Sequence, residues 1–236
     1  MIPLRDDQPC FSTPFVTWFL IGINLLVFLF ELSIGFQSRA DLNALMVQFG
    51  VVPSHSIGLL TGTPVFAPLA AILPIFTSMF LHASWSHVLG NMLVLWIFGD
   101  NIEDHLGHFK YLVFYLLCGF AASFTHIVLN PNSLVPSVGA SGAIAGVMGA
   151  YFVLFPRAKV LVWFPPIFLF KVPAWLMLGY WFVAQFISGT ATSIASANQA
   201  AGGGIAFWAH VGGFVAGVLL IKLLPERPQR YRYGTW

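Results

Sequence analysis

The chain has 236 residues, 58% of them hydrophobic and 8% charged, with a net charge of +2. A soluble domain carries about a quarter charged residues, so a water-soluble globular fold is excluded. With a mean hydropathy of +0.84, the expectation is an all-α, polytopic membrane protein with the lipid bilayer as its surroundings and no nucleic-acid partner.

The segment 1–13 holds one Arg, two Asp and two Pro before a long apolar run. That run exceeds a signal-peptide core of roughly 7–15 residues and has no small-residue cleavage site after it, so it reads as a retained first span. Six spans are expected, at about 15–36, 80–98, 109–129, 141–155, 172–187 and 205–224. They form a single membrane domain over 1–236, flanked by a short N-terminal segment (1–13) and a basic tail (225–236). Cys10 precedes the first span and Cys118 lies inside the third, which argues against a disulfide between them.

The long first connection, 37–76, is partly apolar (Phe49, Val51, Val52, Leu59, Leu60) and suits the bilayer surface. The fourth span is short: 15 residues cover roughly 22 Å of an apolar core about 30 Å thick. Its N-terminus therefore lies below the membrane surface, and the preceding stretch 130–140 must dip inward. Irregular backbone at that depth requires burial in protein or a wet cavity. The connection 189–204 is uncharged, rich in Ala, Ser and Thr, and ends in Gly202, Gly203 and Gly204. It is either a lid or a plain connector. Lys and Arg set the orientation. With the N-terminus in the cytoplasm, nine of ten basic residues fall on the inner side and only Arg39 falls outside. Both termini are then cytoplasmic.

Polar groups inside apolar spans are expensive and mark candidate sites. Ser141 opens span four, and His210 lies about five residues into span six. His82, His87 and Asn91 lie near the start of span two. All three spans run inward from the outer face, so these groups share one layer near it. His87 and Asn91 are spaced i,i+4 on one helical face. Ser141 is of the type to act as nucleophile and His210 as its base. The Asn91 amide, the His87 imidazole and the Ser141 N–H are suitable oxyanion donors.

Each residue also has a structural reading. Ser141 can be a small packing residue, because Gly142, Gly146 and Ala150 make a stripe for close helix contact. His210 with Gly213 and Gly217 marks a tight crossing of its own. The readings are compatible, because a close crossing of spans four and six brings Ser141 to His210. His126, near the outer end of span three, either joins the site or holds a structural or interfacial place, and Glu31 suits an interface near the outer end of span one. His55, His105 and His108 lie away from the layer. No His-Glu-x-x-His string exists, so a zinc metalloprotease is excluded. Asp100, Glu103 and Asp104 cluster at the inner end of span two, which disfavours an aspartyl protease. A third member for His210 is missing from spans four and six, so packing must orient the imidazole.

The ordered set of Gly139-Ala140-Ser141-Gly142, Ala209-His210-Val211-Gly212-Gly213 through Gly217, and His82 through His87 to Asn91 resembles the rhomboid intramembrane serine proteases. The turn Gly99-Asp100-Asn101-Ile102-Glu103-Asp104-His105-Leu106-Gly107 resembles the family's as well. The resemblance covers about 76–224. It implies a Ser141–His210 dyad, with oxyanion donors at His87, Asn91 and Ser141. His82, Gly139, Gly142 and Gly213 would support the site, and Glu103 would be a structural acid. It also implies cleavage of membrane-protein substrates near the outer ends of their transmembrane segments, without metal or cofactor, and suggests a bacterial-type cell (inner) membrane. Two departures are notable. Some relatives carry an aromatic residue four positions after the nucleophile, where this chain has Ala145, and some carry a Trp-Arg pair in the first loop, which is absent here. An inactive client-binding relative and a small transporter or channel are the rival classes. Intact Ser141 and His210 argue against the first, and the near absence of charge at mid-membrane argues against the second.

Overall fold

The computed structural model describes residues 1–60, 68–196 and 206–227. A strand β1 (Ile2–Arg5) precedes the long helix α1 (Phe15–Gln37). Short helices α2 (Arg39–Phe49), α3 (Pro53–Leu60) and α4 (Pro68–Thr77) follow, the last running into a 3-10 turn at Ser78–Phe80. Next come α5 (Trp85–Leu106), α6 (His108–Leu129) and α7 (Ser141–Leu154). Strands β2 (Lys159–Phe164) and β3 (Phe168–Pro173) then lead to α8 (Ala174–Ser196) and α9 (Phe207–Leu223).

Among the described residues, α1 and α6 are each long and apolar enough to cross a membrane. A third crossing results if Ile72–Phe80 and Trp85–Leu106, bent by 86° at their break, count as one. Helices α7 and α9, with 14 and 17 residues, are apolar but shorter. The fold is thus a helical membrane fold, and the chain is an integral membrane protein.

Helix α7 is the core of this bundle. Every residue from 142 to 151 is buried, and a helix that is apolar all round belongs inside protein. Its partner is α9, and glycines bring the two together. A Cβ built on Gly213 would lie 2.0 Å from the Gly142 carbonyl oxygen, and one on Gly217 would lie 2.0 Å from the Gly146 oxygen. Gly146 in turn lies under Cys118 of α6, whose Sγ would be 2.4 Å from an added Cβ. The small-residue stripes expected from sequence are therefore places where backbone meets backbone.

Three features depart from the sequence reading. The connection after α7 is a hairpin. β2 pairs with β3, and also with β1 from the chain's start, with Ile2 opposite Trp163. Val160, Val162, Trp163 and Phe164 favour strand geometry, but they fall in 156–171, which the span assignment leaves as a plain connection between spans four and five. Helix α8 extends to Ser196, so 189–196 is helix rather than loop; residues 197–204 of the expected lid lie outside the described residues, as do 228–236 of the tail. Val51 and Val52, expected at a bilayer surface, are 2% and 3% exposed. Their apolarity serves packing within the protein.

Carboxylates close the end of the bundle at the α5–α6 turn. Glu103, fully buried on α5, accepts from the Val16 and Thr17 N–H groups at 2.9 and 2.8 Å and from Thr17 Oγ1 at 2.8 Å. Helix α1 has no side-chain cap of its own, so Glu103 takes the unpaired donors of its first turn. His108 Nδ1 lies 2.6 Å from the same carboxylate. Asp104 accepts from Phe11 N–H at 3.0 Å and Ser12 Oγ at 2.5 Å, and the Tyr151 hydroxyl donates to Asp6. Burial raises the Asp6 carboxyl above its usual range, against that bond's lowering effect. Burial also pushes the Cys10 thiol up to about 11, with the Asp100 carboxylate adding to it; Cys10 and Cys118 are both free thiols. Replacing Glu103 with alanine strands the α1 donors and is expected to cost about 2–4 kcal/mol. Thermal unfolding in detergent would read this as a lowered midpoint.

Candidate active site

The site is assembled from the N-terminal ends of α5, α7 and α9, the C-terminal end of α6 and the middle of α8. Ser84 caps α5, its side chain accepting from the His87 N–H at 3.2 Å, which starts the helix where His87 and Asn91 fall on one face. His82 lies just before that cap. Its N–H donates to the Glu31 carboxylate of α1, at 3.1 and 3.2 Å to the two oxygens, so Glu31 holds an element of the site from behind. The Asn91 amide nitrogen donates to His82 Nε2 at 3.0 Å. The His82 and His87 rings meet edge to face at 5.0 Å. His82 thus contacts both Asn91 and His87. An amide nitrogen carries two hydrogens, so Asn91 keeps one for a ligand.

The stretch before Ser141 finds backbone partners in the first connection and the 3-10 turn. Ser137 exchanges hydrogen bonds with Val51, at 2.9 and 2.7 Å, and Ser54 N–H donates to the Ser133 carbonyl at 3.1 Å. Gly139 N–H donates to the Ser78 carbonyl at 2.8 Å. The first connection therefore clamps the loop that delivers Ser141, which explains the burial of Val51 and Val52. Gly139 has φ +129, a conformation that L side chains rarely adopt. A Cβ there would lie 2.7 Å from His87 Nε2 and 3.6 Å from Ser141 Oγ, so the missing side chain leaves room between the two. Gly139→Ala is expected to lower turnover about 100-fold by displacing His87 or Ser141, with a smaller relative change in thermal midpoint. Parallel assays of cleavage and unfolding check this.

Across the α7–α9 crossing, Ser141 Oγ lies 2.7 Å from His210 Nε2. His210 is 9% exposed. The other imidazole nitrogen, Nδ1, lies 2.7 Å from Gln185 Oε1 on α8. The Trp181 ring, one turn earlier on α8, lies 5.6 Å from the imidazole at an interplanar angle of 37°. Sequence reading missed both residues. Their i,i+4 spacing was visible, but no rotational phase for α8 could be read from a segment apolar on most of its faces.

Ser141, His210, His87, Asn91, His126 and Trp181 all line one cavity of about 670 Å³. Gly142 lies at its wall, where a Cβ would meet Ala122 at 2.6 Å, and Gly213 faces Gly142 across the crossing. His126 also bonds Asn130, at 3.3 Å. His105 and His108 lie at the α5–α6 turn, outside the lining of this cavity, with His105 3.8 Å from Glu226. The arrangement places a hydroxyl against an imidazole base, beside an amide and a second imidazole, in a pocket within a membrane bundle. That is chemistry for acyl transfer.

A family model for the rhomboid domain matches residues 70–227. The chain belongs to the rhomboid family, whose members are membrane proteases. It is 34% identical over 174 residues to Rhomboid protein 1, mitochondrial, of Saccharomyces cerevisiae, covering 70% of this chain and 47% of that protein. It is 34% identical over 133 residues to the presenilin-associated rhomboid-like protein, mitochondrial, of Mus musculus, covering 54% and 35%. Rhomboid-like protein 11, chloroplastic, of Arabidopsis thaliana is 30% identical over 161 residues, covering 64% and 52%. The chain thus spans about a third to a half of the length of these curated relatives.

Proposed function

We propose that this protein is an intramembrane serine endopeptidase that cleaves transmembrane segments of other membrane proteins. The observation that carries the reading is the 2.7 Å contact of Ser141 Oγ with His210 Nε2 inside a cavity among membrane helices. His210 takes the Ser141 proton as Oγ attacks the scissile carbonyl carbon. The carbonyl oxygen becomes an oxyanion held by Asn91, His87 and the Ser141 N–H. The C–N bond then breaks, and His210 Nε2 returns its proton to the leaving amine. Water, activated by the same imidazole, attacks the acyl-enzyme and frees Ser141. No cofactor enters these steps.

The domain is a single unit of six crossings made by α1, α5, α6, α7, α8 and α9. The short α7 sets the nucleophile below the outer surface, where water reaches it through the cavity. The bias of basic residues supports an orientation with both termini in the cytoplasm, the site then opening to the outer face of a bacterial cell membrane. Liposomes holding the protein and a tagged single-span substrate test the reading. Cleavage is expected, together with fluorophosphonate labelling at Ser141. Product that persists unchanged in Ser141→Ala overturns it.

A further inference from the structure

We infer that Gln185 is a positioning residue that fixes the tautomer of His210, so that the proposed dyad works as a group of three. The inference rests on the serine-protease reading. Gln185 and Trp181 stand four residues apart on α8, on the one helical face that meets α9. Their distances to His210, 2.7 Å from Oε1 to Nδ1 and 5.6 Å between ring centroids, hold the imidazole by an edge and a face. The ring against His210 thus comes from α8. Position 145 on α7 holds a fully buried alanine.

The chemistry follows from what an amide oxygen can do. It only accepts, so the imidazole proton sits on Nδ1, and the Nε2 lone pair faces Ser141 Oγ. The other tautomer would leave Nε2 a donor, unable to take the serine proton. When Nε2 does take that proton, the Nδ1–H bond to Gln185 becomes charge-assisted and strengthens. A neutral amide also costs far less to place among membrane helices than a carboxylate. The ionisable groups facing His210 from the other elements are His87 on α5 and His126 on α6, and no carboxylate lines the cavity among the described residues. Gln185 therefore supplies direction without adding charge.

Gln185→Leu and Gln185→Glu in liposomes separate this role from simple packing. Gln185→Leu is expected to lower kcat about 10–100-fold with KM changed less than about 2-fold. Gln185→Glu puts a carboxylate on Nδ1–H, favours the imidazolium, and is expected to move the acid limb of kcat/KM upward by about 1–2 pH units, with activity recovering above it. A limb left in place would show that position 185 does not bond Nδ1 in the working enzyme. Wild-type kcat in Gln185→Leu, or an unmoved acid limb in Gln185→Glu, overturns the inference. If Gln185→Leu fails to fold, the limb of Gln185→Glu decides alone. A wild-type protein inert to both substrate and fluorophosphonate would instead count against the protease reading itself.

Discussion

Ser141→Ala and His210→Ala are each expected to lower kcat/KM by about 10³-fold or more, and the double variant no further. The argument is geometric. With Oγ and Nε2 2.7 Å apart, neither group has a use without the other. Alanine at 210 leaves a hydroxyl with no proton acceptor, and alanine at 141 leaves a base with nothing to activate. Losses of groups that act as one unit do not add. Single-turnover cleavage in liposomes, run beside fluorophosphonate labelling, gives the three values. Losses that multiply in the double variant would show that Ser141 and His210 act independently, and the dyad would have to be abandoned.

The second large effect lies at the crossing beneath the site. A methyl group at Gly213 would sit 2.0 Å from the Gly142 oxygen, and one at Gly217 would sit 2.0 Å from the Gly146 oxygen. Both obstacles are backbone, so no side-chain rotation relieves them, and the helices must separate. Overpacking of this kind costs about 1–3 kcal/mol or more. The displacement also falls on the Ser141–His210 contact, where about 1 Å of misplacement is worth about 100-fold in rate. Gly213→Ala and Gly217→Ala should therefore lose both thermal stability and turnover. Gly22→Ala on α1, whose Cβ would meet nothing within 4 Å, should lose neither. Wild-type turnover in Gly213→Ala would show that the site tolerates a wider crossing than the geometry allows.

The site was legible in sequence where polar residues stand out against lipid. Ser141, His210, His87 and Asn91 stand in otherwise apolar spans, and their shared depth follows from counting along helices of the same direction. The glycines at 142, 146, 213 and 217 were legible because small residues at spacing four carry little information except close approach. Gln185 was hidden for the opposite reason. A lone amide on α8 could face lipid headgroups, a neighbour or a cavity, and only the rotation of that helix against α9 decides. Trp181 was hidden with it, one of many aromatics in an aromatic-rich chain. The sheet was lost because 156–171 reads as a connection between two spans, and its pairing with the distant Ile2–Arg5 has no local signal. The role of Val51 and Val52 was misread because an apolar loop suits a membrane surface and a buried clamp equally well.

That sheet has a consequence for biogenesis. Ile2 and Pro3 find their strand partners at Trp163 and Val162, Asp7 accepts from the Lys159 N–H at 2.7 Å, and Asp6 bonds to Tyr151. During synthesis these residues emerge well before their partners at 151–163 and must wait for them, the slow end of contact formation. The N-terminal strand therefore docks late, after α7 is in position. A ribosome-bound intermediate halted before residue 150 should leave this segment open to protease, and release of the full chain should protect it.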